Sequence, residues 1–465
     1  MTLFSDTNIG FKKFLFVFTG MLFSLSTYSQ YPGIPGGLQQ MRIQQQQMIQ
    51  QQNQMLIERS NISSDTKRKA WEEFLKEEKE DEIRRRFELL RQKPTDPQKL
   101  KEYLALKEKL RIVDHNSASY KEKSHCFFSA FQELQQMLEG KINSDLKRAI
   151  FVTENAWYGN TKTFNSFNNK IDQLVWVCRQ VLKQEKLSER NPIACHYAIQ
   201  KLFSDTITVK KADGTPKKIY PLRYDFEDNS GDKDYTKMFV HKLLSAKTGQ
   251  CHSMPLLYLI LANELKVSAN LTIAPNHSYI KYPVSGKGTL AFECTSGTLI
   301  TDEWIVGSGY ISSMAIRNGI YLAPQSIKET ISNCMIDLVS EYQSKFGYDD
   351  FVINGCQLAM KYAPANIGAM LTYSNCIVAY CFAEAEKNHF PPLAEIEKYP
   401  ELKKRYAYML QVEKEIDDSG YMKIPPEQYA KWLATGSEQL QQEQHKQLSA
   451  NISDKIKNTC NNPTE

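Results

Sequence analysis

Three residues of types that do covalent chemistry fall within a short stretch of the chain: Cys251, His277 and Glu293. Cys251 follows the turn Thr248-Gly249-Gln250 and precedes an apolar run, Met254 to Leu265. The length and leucine content of that run predict a buried helix. Pro255 falls within its first turn, where a missing N–H costs least. Cys251 is thereby placed at the N-terminus of a core helix. Orphan backbone N–H groups and the positive end of the helix dipole lie there, and both favour a thiolate over a thiol. His252 is adjacent, but neighbouring helix residues diverge by about 100°, so its ring need not face the sulfur.

The residues that follow must bring His277 and Glu293 back to Cys251. Ala269–Ala274 reads as a strand and Pro275-Asn276 as a turn. A second strand begins at His277, with Ser278, Ile280 and Tyr282 on one face and His277, Tyr279 and Lys281 on the other. Gly286-Lys287-Gly288 makes the next turn, and Thr289–Cys294 a third strand with Glu293 near its end. Cys294 points to the opposite face from Glu293. The order is a Cys-bearing helix, a strand, a His-bearing strand and an acid-bearing strand.

This order, with Gly249-Gln250-Cys251, the leucine-rich helix, His277, Tyr279 and Glu293, resembles the transglutaminase-like superfamily, a papain-like cysteine fold. The resemblance covers about residues 224–305. It implies that Cys251 is the nucleophile, His277 its base and Glu293 the acid that orients the imidazole. It further implies attack on an amide carbon, a thioester, and release by water or an amine, with the base returning its proton to the leaving amine. The oxyanion would be held by the Cys251 backbone N–H and a second donor, for which Gln250 is the candidate. Many members carry Asp where this chain has Glu293, one methylene longer.

Elsewhere the chain divides by composition. Lys12 and Lys13 precede the apolar run Phe14 to Leu25, and Thr27 and Ser29 give a small-x-small pattern. That is a secretory signal layout, with cleavage expected after Ser29, and the run is well short of the ~20 residues that span a bilayer. The expected product is secreted or periplasmic, with no transmembrane segment after signal removal. Residues 30–62 read as a Gln-rich spacer, although Met41, Met48, Met55 and Ile62 also recur at heptad spacing. Residues 63–118 read as a charged helical segment with a docking stripe that includes Ile83, Phe87 and Leu90. Residues 119–310 are assigned to the transglutaminase-like domain. Within them, a helix through Ala149-Ile150-Phe151-Val152 stops near Gly159, and a hairpin closes around Asp213-Gly214. Residues 311–465 form a helical module with helices Ile327–Phe346, Phe351–Tyr362 and Ile367–Ala385. Their order weakly resembles tetratricopeptide-type units, without a visible period of about 34 residues.

Composition bounds the function. Lys and Arg number 58 against 53 Asp and Glu, a net charge of +5, which argues against a nucleic-acid partner. Ten cysteines in 465 residues are too sparse for a disulfide scaffold. The eight histidines are scattered and no paired-Cys spacing occurs, so neither a metal nor another cofactor is expected. The expected fold class is α+β, a helix carrying Cys251 packed on an antiparallel sheet, with helical extensions at both ends. The expected partner is a peptide or protein amide substrate, with an envelope protein as a further candidate partner of the C-terminal helices. The alternative is a catalytically inactive interaction scaffold of the same fold.

Overall fold

The computed structural model describes residues 80–423, apart from 212, 229, 230, 232, 286, 287 and 307–310. The segments read from sequence as a signal and a Gln-rich spacer, residues 63–79 and the Gln-rich tail lie outside the described residues.

Helices dominate the first half. After the helical residues 80–91 come α1 (Pro97–Lys109), α2 (Ala118–Glu139), α3 (Leu146–Trp157), α4 (Phe164–Gln184) and α5 (Pro192–Ser204), each of which begins on a side-chain cap. Asp96, Ser117, Asp145, Thr163 and Asn191 accept from backbone N–H groups of the first turns, satisfying donors that have no partner inside the helix. The expected hairpin follows as β1 (Ile207–Lys210) and β2 (Pro216–Ile219), antiparallel with Ile207 opposite Ile219.

A short parallel pair comes next: β3 (Arg223–Tyr224) lies beside β4 (Thr248–Gly249), with helix α6 (Val240–Ala246) between them in sequence. The chain then enters α7 (Ser253–Glu264), in which Ser253 through Ala262 are all buried. A helix apolar on every side must be enclosed, and α7 is packed by α4, α5, α6 and two strands of the sheet behind it.

That sheet has five antiparallel strands: β5 (Asn270–Ala274), β6 (His277–Val284), β7 (Gly288–Glu293), β8 (Thr298–Ile300) and β9 (Pro324–Gln325), in the order β8-β7-β6-β5-β9. Strand β6 is buried on both faces from His277 to Tyr282. Ile280 and Tyr282 join the main core, whereas Tyr279 packs with Ile305, Ala315 and Tyr321 on the far side. The alternation read from sequence is thus realised between two apolar layers rather than between core and solvent. Residues 298–306 supply β8 and the helical turn Asp302–Val306.

The C-terminal part is helical as expected: α8 (Ile327–Phe346), α9 (Asp350–Tyr362), α10 (Ile367–Lys387) and, not anticipated, α11 (Pro400–Asp418). Consecutive members of this series pack on one another, but α8 also packs on α2 and α3. Its Ile331, Met335, Leu338 and Tyr342 share one core cluster with Leu257 and Ile260 of α7. Packing therefore runs unbroken across residue 310, where the sequence suggested a domain boundary. The stripe Ile83, Phe87 and Leu90 docks on α10 and α11, with the Phe87 and Phe382 rings 4.8 Å apart. The architecture is a mixed α+β arrangement in which helices outweigh one antiparallel sheet.

Candidate active site

Cys251 occupies the turn between β4 and α7. Two contacts shape that turn. The Gln250 N–H donates to Ser253 Oγ at 3.0 Å. Gly249 leaves no room for a side chain, because an added Cβ would stand 2.8 Å from Ser253 Oγ and 3.0 Å from Leu243 Cδ1. Strand β6 grips the same turn, since Ser278 donates to the Cys251 carbonyl at 2.5 Å. The thiol lies against the β5–β6 turn, 3.7 Å from the Asn276 carbonyl. Asn276 has φ 52, a left-handed conformation to which Asn is well suited. It reverses the chain so that Ala274 pairs with His277.

The sheet register brings the other two residues together. Ile280 faces Phe292 across β6 and β7, so Glu293 stands one pleat repeat diagonally from His277, within reach of a long side chain. His277 Nε2 and Glu293 Oε2 are 2.5 Å apart, and each side chain is 2% exposed. The extra methylene of Glu spans the diagonal. The second carboxylate oxygen accepts from Thr295 N at 2.9 Å and Thr295 Oγ1 at 2.7 Å. With Nε2 on Glu293, the other ring nitrogen is Nδ1, and the Cys251 side chain interacts with the imidazole and favours its protonated form.

Electrostatics favour a charged pair. Burial opposes charge on His277, but the Glu293 carboxylate and the Cys251 contact outweigh it and push the imidazole up to about 10. Burial likewise opposes charge on Glu293, yet His277 and Thr295 hold its carboxyl below the ordinary value. The ring is poised as an imidazolium beside the sulfur.

The other residues singled out from sequence have different fates. His252 turns away to Asp337, 3.2 Å from Oδ2, as expected of a residue that is not the base. Tyr279 and Lys281 both reach Asp302, at 2.9 and 2.7 Å, and so fasten the layer behind β6. Gln250 does not match its expected role. Its Nε2 donates to Asp225 O at 3.2 Å and to Asp228 O at 2.6 Å. Both N–H groups of the amide are used to hold the 225–228 loop, so in this arrangement neither remains for an oxyanion.

Sequence reasoning left Tyr224 unassigned. It sits beside Gly249 in the β3–β4 pair, two residues before Cys251. Its hydroxyl is buried and has no hydrogen-bond partner among the described residues. Burial, then the charges of Cys251 and Glu293, push the phenol far above its usual range. It therefore remains a hydroxyl donor near the candidate nucleophile. Only the long-range strand pairing brings it there, and no local motif marks it.

Among the described residues, no His, Cys, Asp and Glu group has the arrangement to hold a metal ion, and no helix is long and apolar enough to cross a membrane. No protein-family model, curated protein or solved structure matches the chain.

Proposed function

We propose that the protein is an exported transglutaminase-like cysteine enzyme that cleaves or transfers the acyl group of a peptide or protein amide. The observation that carries this reading is the buried His277–Glu293 contact at 2.5 Å, with the Cys251 side chain acting on the same imidazole. The helix that follows Cys251 and the strands that carry His277 and Glu293, in that chain order, support the family resemblance.

In the proposed cycle, the Cys251 sulfur attacks the amide carbon while His277 holds the thiol proton. Glu293 stabilises the imidazolium and fixes which ring nitrogen faces the sulfur. The C–N bond breaks, His277 gives its proton to the leaving amine, and a thioester remains. Water or a second amine then attacks the thioester, His277 takes its proton, and the sulfur leaves. The negative oxygen formed in each half is held by the Cys251 backbone N–H and, in place of Gln250, the Tyr224 hydroxyl.

A surrogate ester tests this without knowledge of the substrate. Incubation with p-nitrophenyl acetate is expected to release p-nitrophenolate in a burst and leave one acetyl group on Cys251, removable by hydroxylamine. Cys251→Ala should abolish the burst. Tyr224→Phe should slow acetylation about 100-fold, the usual effect of losing one oxyanion donor. It should leave alkylation by iodoacetamide unchanged, because alkylation forms no oxyanion. Acetylation spread over other residues, with no dependence on Cys251, would overturn the reading.

The competing reading is a catalytically inactive interaction scaffold. The low exposure of Cys251, 7%, favours it, and absence of the burst in the wild-type chain would select it.

A further inference from the structure

A cavity of about 200 Å³ opens one residue beyond Cys251, between α3, α7, α8 and the segment 235–239. Three carboxylates line it, Glu154, Asp337 and Glu341, together with His252. Two of the three are occupied. Glu154 accepts from Val240 N at 2.6 Å, His241 N at 2.9 Å and His241 Nδ1 at 2.6 Å. Asp337 faces His252.

Glu341 is different. It is 1% exposed, and its Oε2 has no hydrogen-bond partner among the described residues. Lys345 lies one turn along the same helix, in the order that favours an acid–base pair. Its ammonium instead donates to the Trp157 carbonyl at 2.6 Å and lies 4.1 Å from the Trp157 ring centroid. A buried carboxyl oxygen without a partner is costly, and this one lines a cavity large enough for a small molecule. The remaining walls include Tyr235 and Phe239, with Met238 and Leu256 beside them. Aromatic faces attract cations, and aliphatic walls accept an alkyl stem.

We propose that this cavity binds an alkylammonium group, its head on Glu341 and Asp337 and its stem against the apolar wall. The cavity is larger than a bare ion needs, and its acids are not arranged to hold a metal. The site stands apart from the chemistry proposed for Cys251, so either can fail alone.

Binding is linked to a proton. Burial, then the charges of Asp337 and Glu154, hold the Glu341 carboxyl well above the carboxylate range, against the weaker pull of Lys345. The other ionisable groups facing the cavity are His252, Tyr235 and Cys334, with His241 held on Glu154. An arriving cation must displace the Glu341 proton, so affinity rises with pH.

The test is isothermal titration of the full chain with n-butylammonium chloride, with n-butanol as the uncharged control. Saturable one-site binding of the ammonium is expected, with none for the alcohol. Glu341→Gln should weaken it by about tenfold or more, as loss of a charge-assisted contact does. Wild-type binding should be tighter at about pH 8 than at about pH 6, between the ordinary carboxyl and amine ranges. If Glu341→Gln loses the wild-type circular dichroism spectrum, Asp337→Asn takes its place with the same expectation. A side-by-side titration with Nα-acetyl-lysine methylamide assigns the site to a peptide side chain or a free amine by which binds more tightly. Absence of saturable binding, equal binding of n-butanol, or a folded variant that binds like the wild type would overturn the proposal. Cys251→Ala is expected to bind as the wild type does.

Discussion

His277 and Glu293 form a buried ion pair whose value depends on both partners. Removing one charge leaves the other desolvated, which typically costs about 3–5 kcal/mol. Glu293→Gln is therefore expected to lower stability to urea by that order, and the loss should vary with pH. His277 is raised in the folded chain, so its contribution is complete below the unfolded value of about 6.5 and fades as pH rises towards about 10. Glu293 is lowered, so its contribution is complete above about 4.3 and is lost as pH falls through its folded value. Urea unfolding should show the largest gap between wild type and Glu293→Gln between these limits, near pH 5.5, and a smaller gap near pH 9. A gap independent of pH would count against the charged pair. At this scale the sequence was informative where candidates follow element order: Cys251, His277 and Glu293 could all be named as candidates, and the His277–Glu293 contact is present. Tyr224 and the committed amide of Gln250 could not, because their settings arise from partners more than twenty residues away.

Among elements, the turn before α7 does the most to place the sulfur. Its geometry rests on Gly249, whose missing side chain lets Ser253 Oγ accept from Gln250 N–H. An alanine there would press on Ser253, Leu243 and Met254, and such overpacking usually costs about 1–3 kcal/mol. Gly249→Ala is expected to lose that stability in urea titrations and to slow modification of Cys251. Unchanged stability and reactivity would show that the turn tolerates the added carbon. Long amphipathic helices were legible in sequence, and α8 was read with its observed ends. Its Ser326 and Glu329 form a reciprocal cap at the start, and Gly347 closes the other end. The three-residue β8 and two-residue β9 were not legible, since so few residues carry no period. Helix α11 was missed for a related reason, its surface being charged and only Leu402, Met409, Val412 and Ile416 buried.

Across the molecule, one core joins parts that composition separated. Helix α8 closes over α2 and α3 and helps wall the cavity beside α7, so the segment after residue 310 contributes to the candidate site region. Residues 80–91 and α1 are tied to the C-terminal half as well, through Phe87 on Phe382 and a backbone bridge from Ile112 to Tyr348. Sequence patterns show where helices are, but they do not show which helix faces fit together. The same core decides the state of the thiols. All nine cysteines among the described residues are unpaired and buried. Burial pushes eight of them up, Cys195 to about 11 and Cys376 and Cys381 to about 12, for example. Cys251 is the most exposed of the nine and is the one that acts on the raised imidazole of His277. The most direct measurement is the pH-dependent rate of iodoacetamide labelling of the folded chain, resolved cysteine by cysteine by peptide mass mapping. Cys251 is expected to react first and to lose that advantage in His277→Gln. Labelling of Cys251 no faster than the other eight, or unchanged by His277→Gln, would contradict the proposed nucleophile and base.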